Sequence, residues 1–274
     1  MLLPSSEDLK QIARPHYIVN ILLSLAFVAT KGTPICPFLY THDEREKCEI
    51  DYREREILIF LAVIVLFKGR RAANWLHYLS TAFLFAKLAN GFLFFRCDLY
   101  LGLVFSLLCI VQFVVFPEPA YTGPENVTYF EGEALFNELT KKNGTTWVIE
   151  FYASWNAECR HIAPVFSKLS EKFALSNLKF GKMDLGRYSQ EANRFYVNAT
   201  ATSRQLPTIA VFCDGKEVVR RPLVKNQRAI PFTFTEENLI RELGLWEAHA
   251  KAKTILGRKT KGNDAAAGDA KKKQ

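Results

Sequence analysis

No glycine-rich phosphate loop, no Ser/His/Asp set and no cluster of cysteine and histidine at zinc spacing stands out in these 274 residues. The first absence argues against a nucleotide cradle and the second against a hydrolase triad. The third argues against a zinc centre, so neither a metal nor a cofactor is expected. From Trp155 to Gln274 there is also no apolar run of spanning length. Nor is the net charge of +8 spread as a nucleic-acid surface would need. Lys251–Gln274 holds eight Lys/Arg against two Asp, which is +6 of that total. Such a run reads as a solvated, disordered tail, and nucleic acid is not an expected partner.

What the chain does have is apolar residues, concentrated in one half. Residues 17–116 hold most of the Leu, Phe, Ile and Val in long runs, while the remainder has the composition of a soluble domain. Tyr100–Phe116 is an uncharged apolar run of 17 residues, and a span needs roughly 17–25. Ser80–Phe95 is apolar apart from Lys87, which can snorkel or face a neighbouring helix. Tyr17–Thr30 fits either a first anchor or the apolar region of a signal peptide. Ile57–Phe67 is short, in the range more often buried or re-entrant. The lipid bilayer is thus the first expected partner, with spans near 17–30, 57–67, 80–95 and 100–116.

Charge gives an expected orientation. Lys10 and Arg14 precede the first run, and Lys68, Arg70 and Arg71 follow the second; both sets mark the cytosolic side by the positive-inside rule. Four crossings then put residues 31–55 in the lumen, make 96–99 a tight lumenal turn and leave everything after Phe116 cytosolic. Arg96, ahead of the last span, points the other way. Cys36 and Cys48 share the lumenal loop and are a disulfide candidate in an oxidising compartment, the alternative being two unpaired thiols.

Pro117–Pro124 (PEPAYTGP) is a turn-rich linker. Residues 125–246 then alternate strand and helix patterns. Strands are expected at 127–130, 146–152, 178–184, 207–213 and 217–221, and helices at 131–141, 157–173, 190–196 and 236–251. That alternation predicts an α/β sheet with covered faces. A basic, disordered tail is expected from 247 to 274.

Two segments carry more than a pattern. Residues 148–164 read VIEFYASWNAECRHIAP, and Arg204-Gln205-Leu206-Pro207-Thr208 runs into the apolar stretch Ile209–Cys213. They resemble the active-site segment and the cis-proline strand of the thioredoxin family, with Asn156 where that family has its attacking cysteine and Glu158 where it has proline. Together with the apolar half and the lysine-rich end, the chain resembles the transmembrane TMX branch of the protein disulfide isomerase family. The implied fold class is a multi-span α-helical membrane region followed by an α/β thioredoxin-like domain, a mixed sheet with helices on both faces.

The resemblance also assigns roles. In thioredoxins the first cysteine attacks as a thiolate, acidified by the helix N-terminus and the CxxC geometry, and the second resolves the mixed disulfide. Asn156 has no sulfur and cannot attack, although it is among the best N-caps. Glu158 suits the helix dipole, but its charge disfavours a thiolate at Cys159. Cys159 is then either a single thiol forming a transient mixed disulfide with a partner or a second copy of this chain, or a small buried hydrophobe. Glu150 matches the buried acid that relays protons to the resolving cysteine in relatives, and Trp155, Leu206 and Pro207 match the client-binding edge. His161 is expected at the surface and Cys213 in the core.

For the whole chain the resemblance implies an endoplasmic reticulum membrane protein bearing on redox state and protein folding. Client proteins and folding chaperones are its expected partners, a homodimer is allowed, and mitochondria-associated membranes are a further expected site. Lys271 and Lys272 resemble the dilysine retrieval signal, which is read on the cytosolic face; the alternative is a merely basic tail. The sequons at Asn126, Asn143 and Asn198 would stay bare on that face and be open to glycosylation in the lumen.

Overall fold

The computed structural model describes residues 12–34, 36–39, 48–69, 72, 74–119, 121–141, 143–226 and 228–257. Lys271 and Lys272 lie outside them. The chain divides into two compact units, Met1–Ala120 and Tyr121–Gln274.

The first unit is helical: α1 (Pro15–Gly32), a single turn α2 (Cys36–Leu39), α3 (Tyr52–Gly69), α4 (Trp75–Cys97) and α5 (Leu99–Val115). Proline at the first position starts α1, where a missing N–H costs nothing. The Asn74 side chain caps α4 by accepting from the His77 N–H at 2.7 Å. Asp98 is both the C-cap of α4 and the N-cap of α5, so these helices turn on one residue. α4 packs on α1, α3 and α5, around a core of Phe27, Leu93, Phe94 and Phe105.

Among the described residues one helix, Trp75–Cys97, is long and apolar enough to cross a membrane; Leu99–Val115 is apolar but shorter. The four expected crossings are all helices. The helix over 57–67 is longer than its apolar run because Arg53–Glu56 form its charged first turn.

Polar contacts sort the two ends of this unit. At one end Lys31 bonds both Glu54 carboxylate oxygens at 2.7 and 2.8 Å, Arg96 pairs with Asp51 at 2.9 Å, and Cys36 is joined to Cys48 by a disulfide. At the other end His16 Nδ1 donates to the Phe116 carbonyl at 2.7 Å. One turn further in, Lys87 donates to Asn20 Oδ1 at 2.7 Å and to Gln112 Oε1 at 2.8 Å. Asn20 reaches back to His16, and Gln112 to the Phe116 carbonyl. The result is a closed polar ring through α1, α4 and α5. Helical side chains tilt toward the N-terminus of their helix, which is why Lys87 reaches this end.

The second unit is a five-stranded sheet in the order β1 (Val127–Phe130), β3 (Leu178–Asp184), β2 (Thr146–Tyr152), β4 (Thr208–Cys213), β5 (Lys216–Arg221). The first three strands are parallel, β4 runs antiparallel to β2, and β5 runs antiparallel to β4. Helices α6 (Ala134–Thr140), α7 (Ala157–Phe173), α8 (Ser189–Arg194) and α9 (Glu236–Glu242) connect and cover it. A small ribbon, β6 (Val224–Lys225) with β7 (Arg228–Ala229), was not expected from the sequence.

Strand alternation builds two cores. Trp147, Ile149 and Phe151 point to one face, while Val148 points to the other with Ile162, Phe166, Leu169 and Phe180. Each fully buried Phe or Leu contributes about 1.5–3 kcal/mol relative to exposure. The same parity sends Glu150 and Lys182 inward on the α7 face.

In this unit the largest differences from the expected boundaries lie at the C-terminal end, the others being shifts of one to three residues. The last helix breaks at Gly244, whose φ of +62° suits glycine. Helix then resumes over residues 245–257. Residues 247–257 are therefore not a disordered tail. Leu245, Ala248 and Ala252 return to one helical face and pack on the core, and Asn177 Nδ2 donates to the Ala252 carbonyl. Only from 258 onward does the expected tail fall outside the described residues.

Candidate functional site

Strand β2 ends at Tyr152, and buried Ala153 leads into the turn that starts α7. Trp155 stands half out of the surface at 50% exposure. Asn156 is the N-cap: its Oδ1 accepts from the Glu158 N–H at 2.9 Å and the Cys159 N–H at 3.4 Å. Two of the orphan donors at the helix start are satisfied by a side chain without sulfur.

Cys159 lies one turn in and is 3% exposed. Burial pushes its thiol up to about 12, and the carboxylates of Glu150, Glu158 and Asp184 add to that, against the lowering effect of the Ala153 backbone. A thiol so raised holds a negligible thiolate fraction near neutral pH.

Glu150 is 1% exposed, and its Oε2 has no hydrogen-bond partner. Burial pushes its carboxyl up to about 7; Lys182 opposes the rise and Glu125 assists it. The Lys182 amine stands 3.8 Å from Glu150 Oε2 but 3.1 Å from Glu125 Oε2. Burial would raise Glu125 as well, yet hydrogen bonds from Tyr129, Lys182 and Ser167 hold it below the usual carboxylate range. Tyr152 beside the site is lifted to about 12, by burial first and then by Asp184 and Glu150.

The cis peptide Leu206–Pro207 precedes β4. Of the three expected client-contact residues only Trp155 offers a side chain. Leu206 and Pro207 are buried, Leu206 within the Phe151 core. An apolar side chain at the entrance to β4 turns inward with Ala210 and Phe212, so whatever this edge offers is backbone. Gly186 leaves room for Trp155: a Cβ there would lie 3.1 Å from the indole nitrogen.

His161 is buried at 9% exposure, not at the surface as expected. It flanks the arc of α7 formed by Cys159, Ile162 and Val165, close enough to be covered. Cys213 is half-buried beside Thr146 Oγ1 at 3.5 Å. Among the described residues no group of three His, Cys, Asp or Glu is placed to hold a metal ion.

The sequence reading missed Lys182 and Glu125. A lysine on the inward parity of an apolar strand is a legible signal, because such a charge must be paired. Glu125, in a loop 57 residues away, gave none.

A thioredoxin family model matches residues 127–230. Among curated proteins, the thioredoxin-related transmembrane protein 2 homolog of Caenorhabditis elegans is 49% identical over 265 residues, covering 96% of this chain and 100% of the relative. Thioredoxin-related transmembrane protein 2 of Xenopus tropicalis is 42% identical over 250 residues, covering 90% of this chain and 87% of the relative. The Drosophila melanogaster homolog is 40% identical over 247 residues, with 88% and 91% covered.

Proposed function

Because the chain belongs to the thioredoxin-related transmembrane protein 2 family, we propose that it holds client or partner proteins at the endoplasmic reticulum membrane, influencing redox state and folding without cycling a dithiol. One observation carries this reading. The position that would attack is an amide serving as a helix cap, and the remaining Cys159 is buried with a raised thiol. Thiol–disulfide turnover needs an accessible thiolate and a second sulfur to release the mixed disulfide. The half-exposed Trp155 supports binding at this edge, and no second sulfur stands with Cys159 in the motif.

Orientation belongs to the same proposal. The bundle crosses the bilayer more than once, and its His16–Phe116 end carries Arg14 and Lys68. The opposite end carries Lys31, Arg53, Arg55 and Arg96 together with Asp51, Glu54, Asp98 and the Cys36–Cys48 bridge. Lys and Arg stand at both ends, so the positive-inside rule does not separate them, and the cytosolic position proposed for the thioredoxin-like unit that follows Phe116 rests on the disulfide at the far end. A disulfide at the other end fits an oxidising lumen.

Two measurements test this. Full-length protein in detergent should reduce insulin no faster than the background, and a rate comparable to an ordinary thioredoxin overturns the reading. In intact microsomes protease should digest the thioredoxin-like unit without detergent; full protection, or a glycan on Asn143 or Asn198, overturns the orientation.

A further inference from the structure

Glu125 follows the linker directly and belongs to no strand or helix. Three donors nevertheless converge on it. The Tyr129 hydroxyl donates to Oε1 at 2.6 Å, while the Ser167 hydroxyl at 2.9 Å and the Lys182 amine at 3.1 Å donate to Oε2. These partners come from β1, α7 and β3, so a residue just ahead of β1 stitches three elements together.

Lys182 is directly opposite Glu150 in the β2–β3 register. On strand geometry alone it would pair with Glu150, the more deeply buried acid. Instead the amine sits nearer Glu125, and Glu150 Oε2 is left without a hydrogen bond. One cation is shared between two carboxylates, and the more exposed carboxylate, already fixed by two hydroxyls, takes it.

We infer that Glu125 is a positioning residue for the buried site: by drawing Lys182 away from Glu150 it leaves Glu150 as a neutral carboxylic acid beside Cys159. The groups around Glu150 fit this account. Tyr152 lies on its own strand, Lys182 and Asp184 on β3, Cys159 on α7, and Glu125 and Tyr129 at the start of the unit. β4 presents uncharged Ile209 opposite it. Lys182 is the only cation in that set. Where Lys182 points therefore sets how far the rise that burial imposes on Glu150 is opposed. Burial, which already pushes Glu150 upward, acts in the same direction. The inference concerns ionisation alone, and the insulin assay above does not bear on it.

The test is isotope-edited infrared spectroscopy of the full-length protein labelled at glutamate carboxyls, titrated over pH. The protonated-carboxyl band that is absent from Glu150→Gln reports Glu150. In Glu125→Gln that band should bleach at a lower pH, with proton affinity reduced by about tenfold or more, one pH unit or more. Glu125→Asp, one methylene shorter, should move it the same way by less, and serves if the glutamine variant does not fold. Repeating Glu125→Gln in a Lys182→Met background separates positioning from direct charge repulsion. A shift that largely vanishes there supports the inference. A shift that persists undiminished, or no shift in either Glu125 variant, overturns it.

Discussion

Each unit of this protein buries a lysine with a glutamate, and the two pairs behave in opposite ways. In the helical unit Lys31 grips both Glu54 oxygens and the Glu49 carbonyl, while Glu54 also accepts the Asp51 N–H. Among the described residues no other acid pairs with the lysine. In the thioredoxin-like unit Lys182 and Glu150 are as deeply buried, yet stand 3.8 Å apart because Glu125 competes for the amine. Burial alone does not make a salt bridge. What decides is how many acceptors share the cation. The closed pair is a clamp between α1 and α3, and the open one leaves an acid free to change its protonation.

The sharpest way to break this comparison is to delete one acid from each pair. Glu54→Leu strands the Lys31 ammonium in a closed site and should destabilise the helical unit by about 3–5 kcal/mol. Glu150→Gln removes an acid that has no hydrogen bond at one oxygen and should cost less than about 1 kcal/mol at neutral pH. Circular-dichroism melts of the full chain compare them, and equal losses would erase the distinction.

The second expected effect is on pH. Glu150 is held above its ordinary value in the fold, so the folded state binds more protons than the unfolded one between the two values. Stability from this group is complete below about pH 4.5 and is lost as pH rises toward 7, by at most about 3 kcal/mol. Urea midpoints across that range should fall for the thioredoxin-like unit, and Glu150→Gln should remove this slope. A slope unchanged in that variant would mean that another group carries it.

The smallest effect sits at the helix start. Asn156→Ala removes the acceptor of two backbone N–H groups and should cost about 1 kcal/mol in the same unit. Asn156→Ser, which keeps an acceptor, should recover most of it. Equal losses in both variants would show that the cap contributes little.

The limits of β1, β2, β3 and α7 coincide with those expected from the sequence because local rules govern them. Period-2 alternation ends where a cap or turn residue stands, and Asn156 is such a residue. Glu150 and Cys159 were legible as a buried acid and a sheltered thiol through the resemblance to thioredoxins, and both are buried. What was not legible depends on distance along the chain. Glu125 reaches Lys182 across 57 residues, and nothing near 125 announces it. The helix beyond 251 was hidden because the basic run that starts there reads as a tail, while small Ala248 and Ala252 make the packing contact. Leu206 was expected to face clients; its inward turn follows from strand parity with Ala210 and Phe212.

The shared cap at Asp98 has a consequence for the order of assembly. With one residue between them, α4 and α5 have almost no loop to close, and closing a short loop costs the least chain entropy. α1 is held to α4 by the Lys87 and Asn90 contacts, which reach back 67 residues to Asn20 and Leu23. The hairpin should therefore form before α1 docks, and amide protection during refolding should emerge in 90–105 before it emerges in 17–30. On that account α1 closes the helical unit last, although the ribosome makes it first.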